Sequence, residues 1–464
     1  VSIVIGPRSA IFAPLANPGL LVVDEEHEAS YKQFDAVPRY NARDVAVYRA
    51  SLAGAVVILG SATPSVESYY NAESGKYTLL ELPDRVDQAR LPTIEIVDMT
   101  KERKAFLADI RTKLRESGEK FPKHMPQTSI SRLLEQQILL RLQKNEGVIL
   151  LQNRRGFSHV VECFECGYVE RCRNCDVTLT YHSVKKHLRC HYCGAVTKPP
   201  TVCPSCGGVD IRFHAFGTQQ VHEELSQKFP DACILRMDLD TTTRKGSHSK
   251  LLEQFGSRQA DILLGTQMVA KGLDFPHVTL VGVISADTQM LLPDFRSAER
   301  TFQLLTQVAG RAGRSNLAGE VVIQTMQAGH YSLKHVLTHD YKGFYKEELA
   351  YRKELEYPPF SRIVLVEFSG ENEGEVQSAA QKFGQILKND GVEKTSRLLG
   401  PADAAIPKVR NRFRKFILLK NSKVNDPSGR RVLEALKRAR EKVEAELKRR
   451  QVLVTIDVDP QGVM

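Results

Sequence analysis

Eight of the nine cysteines fall into four C-x-x-C pairs: Cys163/Cys166, Cys172/Cys175, Cys190/Cys193 and Cys203/Cys206. A two-residue gap turns both sulfurs of a pair toward one ion, and two pairs complete a tetrahedral four-thiolate site. Four pairs therefore imply two Zn2+ ions. Spacing alone permits either consecutive or nested pairing. A disulfide ladder belongs to secreted chains, and no stretch here reads as a signal peptide. Four thiolates leave no open position for water, which argues against a zinc-dependent hydrolase. His182, His187 and His191 lie nearby and are expected to pack rather than ligate. Cys233 is expected as a small buried apolar residue.

Carboxylates form the second group. The apolar run Gly19-Leu20-Leu21-Val22-Val23 ends in Asp24-Glu25-Glu26-His27. A buried strand delivering acids at its carboxyl end is how nucleotide hydrolases present a magnesium-holding aspartate and a water-activating glutamate. The next apolar run, Val56-Val57-Ile58-Leu59-Gly60, ends in Ser61-Ala62-Thr63-Pro64. Far downstream, Gln307-Val308-Ala309-Gly310-Arg311-Ala312-Gly313-Arg314 sets two guanidinium groups one helical turn apart, both able to reach one polyphosphate. Between the two acid- and arginine-bearing segments lies Gly265-Thr266-Gln267-Met268, followed by Lys271-Gly272-Leu273-Asp274-Phe275. A strand with DEEH, a strand with SAT and a QxxGRxGR box, in that order, are the signature of superfamily 2 helicases.

Three further strings are more specific: Gly6-Pro7-Arg8-Ser9-Ala10-Ile11-Phe12-Ala13-Pro14, Gln152-Asn153-Arg154-Arg155-Gly156-Phe157, and the cysteine block interrupting the second lobe. With them the chain resembles the PriA (primosomal protein N′) family of bacterial replication-restart helicases along essentially its whole length. The resemblance implies two RecA-like lobes, a double-zinc insert in the second, and ATP with Mg2+ as the hydrolysed cofactor. It assigns magnesium to Asp24, the attacking water to Glu25, and γ-phosphate stabilisation to Arg311 and Arg314. Glu26, His27, Ser61, Thr63, Gly272, Asp274 and Gln307 would bind nucleotide or link it to lobe movement. Arg8, Ser9, Thr266 and Lys271 would contact the DNA backbone. The segment after DEEH, with Tyr31, Lys32, Phe34 and Tyr40, would be a loop coupling DNA contact to hydrolysis. Aromatics interleaved with basic residues suit stacking on unpaired bases. The resemblance also implies nested zinc pairing: Cys163, Cys166, Cys203 and Cys206 on one ion, Cys172, Cys175, Cys190 and Cys193 on the other. Nesting closes the insert at its base, so that it can protrude as one rigid unit. Partners implied are forked and single-stranded DNA, primosome proteins and single-stranded-DNA-binding protein, in the cytoplasm.

One departure is large. The family's G-x-x-x-x-G-K-[ST] phosphate loop occurs nowhere in these 464 residues, and the first residue is Val1 in a strand-like run. The expectation is an amino-terminally truncated sequence whose parent hydrolyses ATP while this piece alone does not. The alternative is a non-hydrolysing, DNA-binding, primosome-loading scaffold. Retention of the charged DEEH and QxxGRxGR groups favours the helicase.

The elements that must position these residues alternate strand and helix. Residues 1–85 read as the remainder of the first α/β lobe and 86–127, with Pro92, Pro122 and Pro126, as a connection. The second lobe occupies 128–160 and 208–335, interrupted by the insert at 161–207. Residues 336–464 form a basic α+β domain whose helix near 431–450 carries Val432, Leu436, Ala439, Val443 and Leu447 on one stripe. Net charge is +10, and residues 401–450 hold 16 Lys/Arg against 6 Asp/Glu, a surplus equal to that of the whole chain. Concentrated charge of this kind fits a polyanionic partner. No apolar run approaches the roughly 18 residues of a membrane span.

Overall fold

The computed structural model describes residues 2–34, 36–83, 91–117, 128–152, 160–182, 186–212, 218–237, 247–266, 269, 275–312 and 319–462. Its first part is a strand–helix–strand unit. Leu20–Val23 and Val56–Leu59 pair in parallel, Val23 opposite Leu59, with the helix Ala42–Ala53 between them. Asn41 caps that helix by accepting from Arg43 N, and Gly54, at φ 64°, ends it in the left-handed conformation. Leu20, Val22, Val56 and Ile58 are exposed on this short sheet.

The second lobe is a six-stranded, wholly parallel sheet. Its order is Ile234–Met237, Ile262–Gly265, Gly147–Leu151, Val278–Val283, Glu320–Thr325 and Thr93–Asp98. The central strands are buried on both faces, which is why they read as continuous apolar runs. Ile149, Leu151, Leu263, Val281 and Ile323 pack with Phe302, Leu305 and Phe344 on one side. Val148, Leu150, Leu264 and Val322 pack with Leu134, Ile138, Val221 and Leu225 on the other. The edge strand corrects the sequence reading. Thr93–Asp98, expected within a connection, pairs residue for residue with Glu320–Thr325, and the helix Met99–Ser117 follows it. Its pattern, Thr-Ile-Glu-Ile-Val-Asp, has the alternation of a half-covered edge rather than the unbroken run of a central strand.

The carboxyl-terminal domain is a four-stranded antiparallel sheet ordered Ser396–Val409, Arg412–Ser422, Ser361–Gly370 and Leu453–Val458. Alternation sends Val364, Val366, Phe368, Ile417 and Leu419 toward the helices Glu373–Asn389 and Arg430–Arg449. The expected stripe of Val432, Leu436, Ala439, Val443 and Leu447 is buried there. The alternate residues Ile363, Leu365, Phe416 and Leu418 face the other way, against the cysteine block.

That packing changes the picture of the insert. Glu162–Cys163 pairs antiparallel with Ile211–Arg212, closing its base. Beyond the base it does not protrude alone: Val177, Leu179, Leu188 and Tyr192 share one core with Tyr357, Phe416 and Leu418 of the carboxyl-terminal domain. The apolar residues between the knuckles need burial, and a body this small cannot supply it internally.

Candidate nucleotide, DNA and metal sites

Asp24 and Glu25 stand where the first parallel strand ends, the usual position for a nucleotide site in such sheets. Asp24 is exposed and its Oδ1 accepts Glu25 N at 3.0 Å. Glu25 has φ 47°, a left-handed conformation uncommon for a side chain with a Cβ. The bend turns the next two residues away from solvent toward the SAT segment. His27 Nδ1 makes a 2.7 Å hydrogen bond with Ser61 Oγ, which also accepts Thr63 N at 3.0 Å. Glu26 is buried. Its carboxylate accepts Ser65 N at 2.6 Å, Ser68 Oγ at 2.8 Å and Arg43 Nη1 at 3.1 Å. Glu26 thus holds the start of the helix Val66–Glu73 and is turned away from the strand-end carboxylates. DEEH and SAT form one hydrogen-bonded unit.

The arginine-box helix, Ser297–Ala309, meets this unit directly. Gln303 Nε2 donates to the Thr63 carbonyl at 3.4 Å, and Glu299 Oε1 accepts Val66 N at 2.9 Å. Gln307 lies one turn beyond Gln303, half-buried, and Arg311 follows the helix end, also half-buried. Arg314, Lys271, Gly272 and Asp274 lie outside the described residues. Behind the contact sits an ion cluster that sequence reading missed. Arg352, 2% exposed, donates to Glu299 Oε2 and Glu348 Oε1, each at 2.7 Å, and stands 3.6 Å from Glu67. Arg296 donates to Glu67 at 2.6 Å. Burial opposes the Glu67 charge, but the Arg296, Arg352 and Arg43 guanidinium groups outweigh it and hold its pKa down at about 2. A signal was present: Glu299, Gln303 and Gln307 share one helix face at i, i+4 and i+8.

Of the residues expected to touch DNA, Arg8 donates to the Ser30 carbonyl at 3.2 Å and Ser9 is exposed beside it. Tyr40 packs edge-on against Phe12, ring centres 4.8 Å apart, which brings the amino-terminal motif against the loop after DEEH. Tyr31 OH donates to the Asp24 carbonyl at 2.6 Å. Partial burial, then the Asp24 charge, raises the Tyr31 phenol above its ordinary pKa, so it stays a donor. Phe34 is 66% exposed. Lys32 departs from expectation. It is buried, its Nζ 2.8 Å from Asp457 Oδ1, and offers no charge to a phosphate. Thr266 is buried as well, at the end of the strand Ile262–Gly265.

The cysteines come together in two groups of four: Cys163, Cys166, Cys203 and Cys206, and Cys172, Cys175, Cys190 and Cys193, the sulfurs of each group within 4.8 Å of one another. This is the nested arrangement. Sulfurs stand 3.7 Å apart for Cys163 and Cys206, and 3.6 Å for Cys166 and Cys203 and for Cys172 and Cys193. A tetrahedral zinc with bonds of ~2.3 Å requires sulfur–sulfur edges of ~3.8 Å, so both groups fit the ion, and a disulfide at ~2.05 Å is excluded. All four knuckles are built alike. Gly167 N donates to Cys163 O, Asp176 N to Cys172 O, Gly194 N to Cys190 O and Gly207 N to Cys203 O, at 2.8 to 3.0 Å. The donor residue has φ between 50° and 77° in every case, which explains a glycine at three of the four positions. His182 and His191 contact each other through Nε2 at 3.3 Å and neither belongs to a sulfur group. Cys233 is exposed, contrary to expectation, on the short approach to the strand Ile234–Met237.

Comparison with known proteins agrees with this layout. Residues 353–461 match the primosomal protein N C-terminal domain, 172–198 the PriA DNA helicase Cys-rich region domain, and 213–316 the helicase conserved C-terminal domain. The replication restart protein PriA of Bacillus subtilis is 44% identical over all of this chain and 54% of its own length. Those of Synechocystis and Chlamydia trachomatis are each 42% identical over 99% of this chain, and over 53% and 58% of their own lengths. The chain spans about half the length of the curated relatives it matches.

Proposed function

Since the chain belongs to the PriA family of replication restart proteins, we propose that it is part of an ATP-dependent DNA helicase that remodels stalled replication forks and promotes primosome assembly in the cytoplasm. The observation that carries the reading is the meeting of three motifs: His27 on Ser61 at 2.7 Å, and Gln303 on the Thr63 carbonyl at 3.4 Å. The acids, the SAT segment and the arginine-box helix are thereby linked through direct contacts, as a reaction between two lobes requires.

In this reading Asp24 holds Mg2+ and Glu25 orients the attacking water, both at the open strand end. Magnesium and the nucleotide supply phosphoryl chemistry when bound. The chain's own part is to aim carboxylates and guanidinium groups. Arg311 and Arg314 stabilise charge developing on the γ-phosphate, with Gln307, Gly272 and Asp274 sensing nucleotide from the same lobe. His27, Ser61 and Thr63 convey the change to the arginine-box helix, and Glu26 keeps the helix after SAT in register. Forked and single-stranded DNA is met by Arg8, Ser9, Tyr31, Phe34 and Tyr40, by Lys271 in the second lobe, and by the basic carboxyl-terminal domain. Thr266 belongs to the same proposed set of DNA contacts, although its side chain is buried. Primosome proteins and single-stranded-DNA-binding protein are the macromolecular partners. The zinc ions hold the insert against the carboxyl-terminal sheet and take no part in hydrolysis.

The test is ATP hydrolysis by this chain joined to the unmatched part of its Bacillus subtilis relative. Hydrolysis stimulated by forked DNA and lost in Glu25→Gln supports the proposal. DNA binding without hydrolysis, indifferent to Glu25→Gln, favours the scaffold instead.

A further inference from the structure

Tyr31 ties the loop after DEEH to the nucleotide side, and the next residue carries a tether in the opposite direction. Lys32 is 3% exposed. Its Nζ lies 2.8 Å from Asp457 Oδ1 and donates to the Val458 carbonyl at 2.6 Å and the Arg39 carbonyl at 3.2 Å. Asp457 is equally buried, on the last strand of the carboxyl-terminal sheet, and Arg39 Nη1 stands 3.5 Å from its other oxygen. The described residues of the loop also hold one another. Lys32 bridges Asn41 across it, Gln33 N donates to the Tyr40 carbonyl at 2.8 Å, and the Gln33 amide reaches the Ala36 and Pro38 carbonyls. Docked in this way the loop still leaves Phe34 exposed, at the rim of a cleft of about 270 Å³ shared with Arg39, Leu365, Arg414 and Phe416.

We propose that Asp457 is a positioning residue for this loop. By holding Lys32 and Arg39 it fixes Phe34 where an unpaired base of single-stranded DNA stacks, which makes the carboxyl-terminal domain part of the DNA–nucleotide linkage. The inference rests on the proposed role of the loop as a DNA contact. Two consecutive side chains then connect the backbone of Asp24 with the last strand of the carboxyl-terminal sheet, Tyr31 on one side and Lys32 on the other. A shift of that sheet against the first lobe reaches the strand-end carboxylates through two residues.

The chain contains no tryptophan, so Phe34→Trp places a single indole in the loop, excited selectively at wavelengths where the 14 tyrosines do not absorb. Quenching by oligothymidylate is expected. Adding Asp457→Asn, which keeps the shape and removes the charge, lowers the anisotropy of the introduced indole without DNA. It also weakens oligothymidylate binding about tenfold at fixed salt, the cost of ordering a freed loop. Asp457→Glu restores part of both. Lys32→Met with Asp457→Leu removes both almost fully buried charges and leaves only the half-buried Arg39 guanidinium to reach solvent, folds where the single variant fails to, and has the same loss of anisotropy and affinity. Unchanged anisotropy in folded variants overturns the tether. Lowered anisotropy with unchanged affinity overturns the positioning role and reduces the pair to a structural one. If Phe34→Trp with the pair intact never responds to oligothymidylate, the loop is not a DNA contact, and the proposed function fails at that point together with this inference.

Discussion

Replacing Arg352 by methionine removes a guanidinium that three segments share. Arg352 donates to Glu299 and Glu348 at 2.7 Å each and to the Pro358 carbonyl at 3.2 Å, and all three side chains are almost fully buried. Methionine fills much of the volume, so the loss is mainly electrostatic. Arg296 and Arg43 would then still face Glu67, and Arg296 would still face Glu299, while Glu348 would lose the guanidinium that faces it. Leaving a buried carboxylate without its partner costs about 3–5 kcal/mol. Part of that can be relieved when Glu348, whose pKa burial already raises, takes up a proton, because a desolvated acid that loses its cation is easier still to protonate. The stability lost relative to the unsubstituted chain is therefore largest near neutral pH and shrinks as the solution is acidified toward pH 5. Urea unfolding followed by circular dichroism, with zinc present, measures it at each pH. Arg352→Met with Glu299→Gln recovers part of the loss, and the four proteins form a double-mutant cycle. A loss below about 1 kcal/mol, independent of pH, would refute the reasoning, since that is the worth of a solvated surface pair.

Metal analysis of the folded, reduced chain returns two zinc ions. Cys172→Ser lowers that number and loosens the carboxyl-terminal sheet as well as the insert, because Tyr357 OH donates to the Cys175 carbonyl at 3.1 Å and shares its core; hydrogen exchange confined to the insert would contradict this. Glu67, with its pKa held down at about 2, contributes stability that is complete above its ordinary range near 4.5 and disappears as pH falls toward 2. Glu67→Gln flattens the acid limb of the unfolding curve, and an identical limb in the variant counts against the Arg296 and Arg352 contacts. The 464-residue chain alone, which has no G-x-x-x-x-G-K-[ST] string, lacks appreciable ATPase activity; DNA-stimulated turnover by it would reverse that expectation.

What was legible in the sequence was whatever a short run specifies locally. The cysteine knuckles were legible because two-residue spacing is demanded by the ion. The central strands were legible because burial on both faces leaves an unbroken apolar run. Other strands escaped, two of them for a clear reason. Thr93–Asp98 is a half-covered edge, and Ser396–Val409 contains Gly400, Pro401 and Pro407 with two shifts of register, so its alternation breaks where it bends. The site divided along the same line. Asp24, Glu25, His27, Ser61 and Gln307 belong to short strings, each weak alone, whose order along the chain is the signal. Glu299, Arg352 and Asp457 act through partners that are distant in sequence, up to 426 residues for Lys32 and the strand it reaches. Only the fold brings them together. Lys32 was misassigned for that reason: a lysine among aromatics looks like a phosphate contact until Asp457 is placed beside it.

The central claim is that the arginine box completes, across the cleft, a site begun by the DEEH carboxylates. Its most direct test is DNA-stimulated ATP turnover by this chain joined to the unmatched part of its Bacillus subtilis relative, with Arg314→Ala and Arg314→Lys. Arginines acting on the γ-phosphate are worth about 10³–10⁵ in rate, so Arg314→Ala lowers kcat by at least roughly 10³ with a smaller change in nucleotide affinity and DNA binding intact. Lysine rescues poorly because it lacks the planar fork. Near-normal turnover in Arg314→Ala, or equal loss of turnover and DNA binding, would contradict the account.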